Sequence, residues 1–140
     1  MGLPAFEVIS HTADIGLLVR GGDIAELMVN GGHALNAIMF REPPSGRNLE
    51  RDIRIDSAGP DTLLVDWLNE LLYMFAGEQL VFSRFTVREV STGHAAIRCE
   101  GEEYDASRHH VARDVKAATY HMAGIRSTGN GYEAQVILDV

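Results

Sequence analysis

Two carboxylates separated by almost the whole chain are the first candidates for chemistry. Asp14 stands in HTAD, between the Thr12 hydroxyl and a tight run at Gly16, within the stretch ISHTADIGLLVR. Asp139 follows the apolar run of VILDV, directly before Val140. A carboxylate drawn out of water needs a cation or several hydrogen-bond donors. If the strands that carry them are neighbours, Asp14, Asp139 and the terminal oxygens of Val140 form an all-oxygen set of the kind that favours Mg²⁺, Ca²⁺ or Mn²⁺. Each acid also has a plainer reading, Asp14 as a turn carboxylate that accepts backbone N–H groups and Asp139 as a solvated terminus. His11 is either a ligand or proton carrier, or a hydrogen-bonded structural residue on a strand.

A second concentration of titratable groups lies in GEEYDASRHHVARDVKAATYH, which gathers Glu102, Asp105, Arg108, His109, His110, Lys116 and His121. Zinc would need ligands at short local spacings such as HExxH, and neither the adjacent His109 and His110 nor the remote His121 supplies one. Lys116, flanked by apolar residues in DVKAATY, either snorkels to water, meets a carboxylate such as Asp14 or Asp139, or places a phosphate of a substrate or partner. Tyr104 and Tyr120 read as core and edge residues. Asp66 and Glu70 in DWLNE stand one helical turn apart, as an acid and base pair would, but they lie beside an apolar stripe and read as its solvated or capping flank. No Gly-rich phosphate loop, no G-x-S-x-G elbow and no cysteine suited to nucleophilic work is present. Nothing in the residue pattern itself calls for an enzyme.

These groups must be positioned by elements whose periodicity is readable. AFEVIS and DIGLLVRG alternate loosely up to Gly21-Gly22 and predict two short strands or one bent strand. Asp23 caps the helix IAELMVNGGHALNAIM. Gly31 and Gly32 in its middle cost about 1 kcal/mol each relative to Ala, which predicts close packing or a bend. FREPPSGRN is a loop, and RDIRIDSAG a strand with one wet face. Asp61 precedes a second helix, TLLVDWLNELLYMFAGEQ, with Leu64, Trp67, Leu68, Leu71, Leu72 and Phe75 on one stripe. LVFSRFTVREVST, HAAIRCEGEEY and YEAQVILDV read as strands, with Thr92-Gly93 as a hairpin turn. The run from Val115 to Ile125 fits helix or strand, and its Val, Thr and Tyr favour strand. With no linker, repeat or low-complexity run, residues 1–140 form a single α+β domain with two long α-helices on a mainly antiparallel β-sheet.

Composition narrows the function classes. The chain has 140 residues, 46% hydrophobic against 23% charged, enough for one core. A formal charge of −8 argues against wrapping nucleic acid, which takes a basic face, and suits holding cations or docking on a basic partner. The single cysteine, Cys99, forms no internal disulfide and reads as a small buried hydrophobe. No signal-peptide pattern opens the chain and no apolar run approaches the ~20 residues that span a bilayer, so the expected location is cytoplasmic, away from membranes.

Taken together, HTADIGL, LLVDWLNELLYMF, GEEYDASRHH followed by DVKAATYH, and the closing ILDV resemble the archease family in order and separation over almost the whole chain. The resemblance implies a small archease-like α+β protein that binds a divalent metal ion. It also implies an accessory role, promoting guanylylation and multiple turnover of an RtcB-type tRNA-splicing RNA ligase without being a ligase itself. Carried over by position, the family's metal-site aspartates match Asp14 and Asp139, with the carbonyl or carboxylate of Val140 adjoining, and its functional lysine matches Lys116. Asp114 stands where the family commonly has Glu, Ala118 replaces a β-branched residue, and Gly31-Gly32 interrupts an Ala-rich helix. None of these departures touches the expected ligands. Two other classes stay open: a general chaperone or interaction module with dispensable aspartates, and a stand-alone metal-dependent phosphoester hydrolase, for which no nucleophile is apparent.

Overall fold

The computed structural model describes residues 3–10 and 14–140, so His11 and Thr12 lie outside the described residues. The elements in chain order are β1 (Phe6–Ser10), β2 (Asp14–Gly21), α1 (Ile24–Met39), β3 (Leu49–Asp56), α2 (Pro60–Glu78), β4 (Leu80–Val90), β5 (His94–Glu103), β6 (Ala117–Thr128) and β7 (Gly131–Asp139). Every strand pairing is antiparallel. The strands divide into two sheets, ordered β1-β2-β7-β6 and β3-β5-β4, where the residue pattern led us to expect one.

The helices explain the division. A surface helix needs one apolar stripe. The first helix instead buries the adjacent pairs Leu27 and Met28, Gly31 and Gly32, Ala34 and Leu35, Ile38 and Met39, a band too wide to be covered from one side. It packs on β2 and on β4, while α2 packs on β6 and on β3, so both helices touch both sheets as well as each other. Ile15, Leu17 and Val19 of β2 and Ala134, Val136 and Leu138 of β7 close this layer from one side, and Ile53, Ile55, Ala95, Ile97 and Cys99 from the other.

The two mid-helix glycines mark the closest approaches. A Cβ at Gly31 would lie 2.7 Å from Leu64 Cδ1 of α2, and one at Gly32 would lie 2.7 Å from the Phe85 ring of β4. The helix is continuous through them, so close packing, rather than a bend, answers the expectation. Trp67 Nε1 donates to the Met28 carbonyl at 2.9 Å and ties the helices together, and Asn36 Nδ2 donates to the Phe82 carbonyl at 2.7 Å where the register of β4 shifts.

Local signals fixed the element ends. Asp23 caps α1, its carboxylate accepting from Glu26 N at 2.8 Å, and Glu26 reaches back to accept from Gly22 N at 2.9 Å, a reciprocal cap. The second helix begins at Pro60, so Asp61 lies in its first turn rather than before it. The Asp61 carboxylate accepts from Ile125 N of β6 at 3.1 Å instead of capping its own helix. Residues between Val90 and His94 form the expected hairpin turn, and the run after Val115 is strand from Ala117. Among the described residues no helix is long and apolar enough to cross a membrane.

Candidate metal centre

The register of the four-stranded sheet sets Asp14 directly opposite Asp139. Alternation decides which way these residues face. Ile15, Leu17 and Val19 are buried on the inner face of β2, as are Ala134, Val136 and Leu138 on β7. The residues between them, Asp14, Gly16, Leu18 and Arg20 on one strand and Glu133, Gln135, Ile137 and Asp139 on the other, therefore share the outer face. Directly opposed residues of an antiparallel pair have Cα atoms about 4.5–5.5 Å apart and side chains on one side of the sheet. Asp14 is half-buried and Asp139 exposed, so the pair sits at the sheet's end, open to solvent on one side.

The third strand brings Lys116 to the same place. Ala117 pairs with Asp139, and the Lys116 backbone N–H donates to the Asp139 carbonyl at 2.8 Å. Val115 beside it is buried in the core, and Val140 packs partly buried against the same core. The start of β6 is held from the far side by α2, where Asn69 Nδ2 donates to the Ala118 carbonyl and Ala118 N–H donates back to Asn69 Oδ1, both at 2.9 Å. Asn69 thus satisfies both main-chain groups that an edge strand leaves open at this position. The residue pattern missed this role, because the strand that Asn69 holds lies 49 residues further along the chain.

Charge along the outer face is arranged unequally. At the far end from Asp14, Glu133 is 7% exposed and is clasped by Arg20 Nε at 3.0 Å and by Arg126, and Arg20 also pairs with Glu7. The bond from Arg126 holds the Glu133 carboxyl below its usual range against the opposing effect of burial, with Arg20 adding to it. At the near end, among the described residues, no Lys, Arg or His lies within 4.0 Å of the Asp14 or Asp139 carboxylates. Lys116 is exposed. Like charges directly opposite in a sheet repel. Two opposed carboxylates with no basic partner among the described residues fit a hard divalent cation in the chemistry of their oxygens and in their access to water. Among the described residues no group of three or more His, Cys, Asp or Glu side chains gathers as a metal cage, so such an ion would draw part of its shell from water or main-chain oxygen.

The second concentration of titratable residues resolves differently. Glu102, 4% exposed, accepts from Gly46 N–H at 2.7 Å, from Arg108 Nη2 at 2.6 Å and from His109 Nε2 at 3.3 Å. The His109 ring is buried, its Nδ1 accepting from Asp105 N–H at 2.9 Å, which leaves the proton on Nε2 for Glu102. Burial pushes the Glu102 carboxyl up, but the Arg108, His109 and Gly46 donors outweigh it and hold the group below the ordinary carboxylate range. A Cβ at Gly46 would collide with that carboxylate. The cluster is a clasp that ties the loop before β3 to the loop after β5, and its buried members, the Glu102 carboxylate and the His109 ring, are committed within it. His110 and His121 are exposed and belong to neither constellation. Of the other expectations, Tyr104 stacks on His109 at 5.8 Å between centroids, and Tyr120 lies exposed on edge strand β6 with its hydroxyl donated to Asp66. Asp66 therefore accepts a hydrogen bond from β6, a tie beyond the solvated or capping flank that its place on the helix implies.

Residues 6–140 match the Archease protein family (MTH1598/TM1083). The chain is 36% identical over 140 residues to protein archease of Methanosarcina mazei, covering 96% of this chain and 95% of that protein. It is 35% identical over 142 residues to protein archease of Methanothermobacter thermautotrophicus, covering 99% of this chain and 100% of that protein. Its fold superposes with a TM-score of 0.82 on the solution structure of Methanobacterium thermoautotrophicum protein 1598, at 34% identity over 97% of this chain and 99% of the other. The crystal structure of an archease of Thermotoga maritima, called there a possible chaperone, shares the fold with a TM-score of 0.66 at 17% identity, covering 100% of this chain and 98% of the other.

Proposed function

The chain belongs to the archease family, and from that premise we propose that it is a metal-binding accessory protein that activates an RtcB-type tRNA-splicing RNA ligase, promoting guanylylation and multiple turnover of the ligase. The observation that carries this reading is the β2–β7 register, which sets Asp14 against Asp139 on the solvent face, with the Lys116 backbone N–H bonded to the Asp139 carbonyl. Asp14 and Asp139, with an oxygen of Val140, would hold one Ca²⁺, Mg²⁺ or Mn²⁺ ion. Such an ion neutralises phosphate charge, the main demand of nucleotidyl transfer.

The chain's own contribution is placement. Strands β2 and β7 fix the two acids without a loop between them and the core, and Asn69 fixes the strand that leads out of Lys116. Lys116, exposed beside the pair, supplies a mobile cation for a phosphate of the partner's substrate. A net charge of −8 suits docking on a protein that binds RNA and therefore presents basic surface. The protein acts on the ligase in the cytoplasm, needs no direct contact with nucleic acid and no membrane, and catalyses nothing alone.

Mixing the protein with ligase, GTP and metal and following GMP transfer tests the reading. Asp14→Ala, Asp139→Ala and Lys116→Ala are each expected to abolish most of the stimulation; unchanged stimulation by both aspartate variants would reject the site. A general chaperone role is the second reading, which would draw on exposed apolar side chains such as Ile9 of β1 and Met122 of β6, 51% and 66% exposed. In that case aggregation of an unrelated client is suppressed equally by the wild type and the aspartate variants.

A further inference from the structure

A second feature lies away from the carboxylates, where the first turns of both helices approach the ends of the strands. A cavity of about 420 Å³ opens there between the two sheets. Leu27 and Met28 of α1, Leu63 and Leu64 of α2, and Val136 of β7 form its floor. Its walls include Ile24, Val90, Ile125 and Tyr132, all packed on the core yet only partly buried. That size falls in the range of small-molecule sites.

The polar groups at the mouth indicate the chemistry of the occupant. Asp61 is already engaged by Ile125 N–H at 3.1 Å, and Arg126 by Glu133. The remaining polar side chains of the lining, the hydroxyls of Ser91, Thr92, Ser127 and Tyr132, are uncharged, and the Gln135 amide is turned to the outer face, where it donates to the Met122 carbonyl at 3.3 Å. Among the described residues no buried side-chain nitrogen or oxygen lacks a hydrogen-bond partner, so the interior makes no polar demand on a guest. We infer that this cavity is a binding site for a small, uncharged, predominantly apolar molecule. The apolar walls supply the attraction as they lose their remaining contact with water. The site is independent of the carboxylate pair and of the activity proposed for it.

Titration with the neutral fluorophore N-phenyl-1-naphthylamine tests this directly. The expected result is saturable binding of one probe per chain, displaced by 1-decanol and not by decanoate at equal concentration. Ala134→Phe, which puts a ring into the cavity, is expected to weaken probe binding about tenfold or more and to raise Tm by ~2–4 °C as the void fills. Met122→Ser, which removes an exposed apolar group elsewhere on β6, is expected to leave the affinity unchanged. Should Ala134→Phe fail to fold, methyl NMR of the wild type with added benzene decides: shifts confined to Ile24, Leu63, Ile125 and Val136 support the site. Shifts centred on Ile9 and Ile137, displacement by decanoate alone, or loss of probe binding in Met122→Ser would overturn it.

Discussion

The side chains divide into those whose bonding is complete and those left open. Glu102 is complete, and its depressed titration has a consequence for stability. A carboxyl whose folded value lies below its unfolded one, near 4.3, stabilises the fold above that unfolded value and loses the contribution as pH falls through the folded one. Tm is therefore expected to drop on acidification below about pH 4.5, and Glu102→Gln should show a shallower fall in a thermal-melt series from pH 2.5 to 7. Glu102→Ala at neutral pH, which leaves the buried His109 N–H and the Gly46 N–H without an acceptor, is expected to cost about 3 kcal/mol in urea unfolding. Cys99 is closed in another sense: burial, with Asp52 adding to it, pushes its thiol up to about 12. It should stay silent to Ellman's reagent in native buffer and react only on unfolding. Among the described residues Asp14 and Asp139 have no basic partner, two acids set against each other on a sheet that elsewhere pairs its acids with arginine.

Elements place these groups, and their own signals are of unequal reach. Asp23, the turn at Thr92-Gly93 and the apolar spacing of both helices announce themselves within a few residues, because caps, turns and periodicity are local physics. The partition into two sheets was not readable in that way, since it depends on how wide a band each helix must bury. The clue was present in the consecutive apolar positions of α1, but it becomes decisive only with both sheets in view. The long register shift of β6 between Thr119 and Gly124, with Met122 in a left-handed conformation at φ 55°, has no local sequence signature either. Two predictions belong here. Gly32→Ala presses a methyl into the Phe85 ring and is expected to destabilise by about 1–3 kcal/mol in denaturant unfolding. Asn69→Ala releases both main-chain bonds at Ala118, so amide exchange there should rise sharply while core amides stay protected, with a stability loss of about 1–2 kcal/mol.

For the molecule as a whole, the architecture joins residues from the two ends of the sequence on neighbouring strands. The sequence pointed to Asp14 and Asp139 by type and by family resemblance, but their convergence required the pairing of β2 with β7, an assumption that the structure meets. It also marked the histidine-rich stretch by its titratable density, without a role for its histidines, and there the fold builds a clasp from Glu102 and His109 around Gly46, a residue far away in the chain. Titratable density alone does not separate a site from a scaffold. What separates them is whether the donors and acceptors close on one another. Among the described residues the carboxylate pair is the constellation that does not close in this way, and it is there that we propose a cation binds, with Lys116 as the neighbour that would meet a phosphate. The most direct test is calorimetric titration of Ca²⁺, Mg²⁺ and Mn²⁺ into the wild type, Asp14→Asn and Asp139→Asn, each checked for native circular dichroism. One ion bound per wild-type chain and none by either variant is the predicted result; equal binding by all three proteins would contradict it.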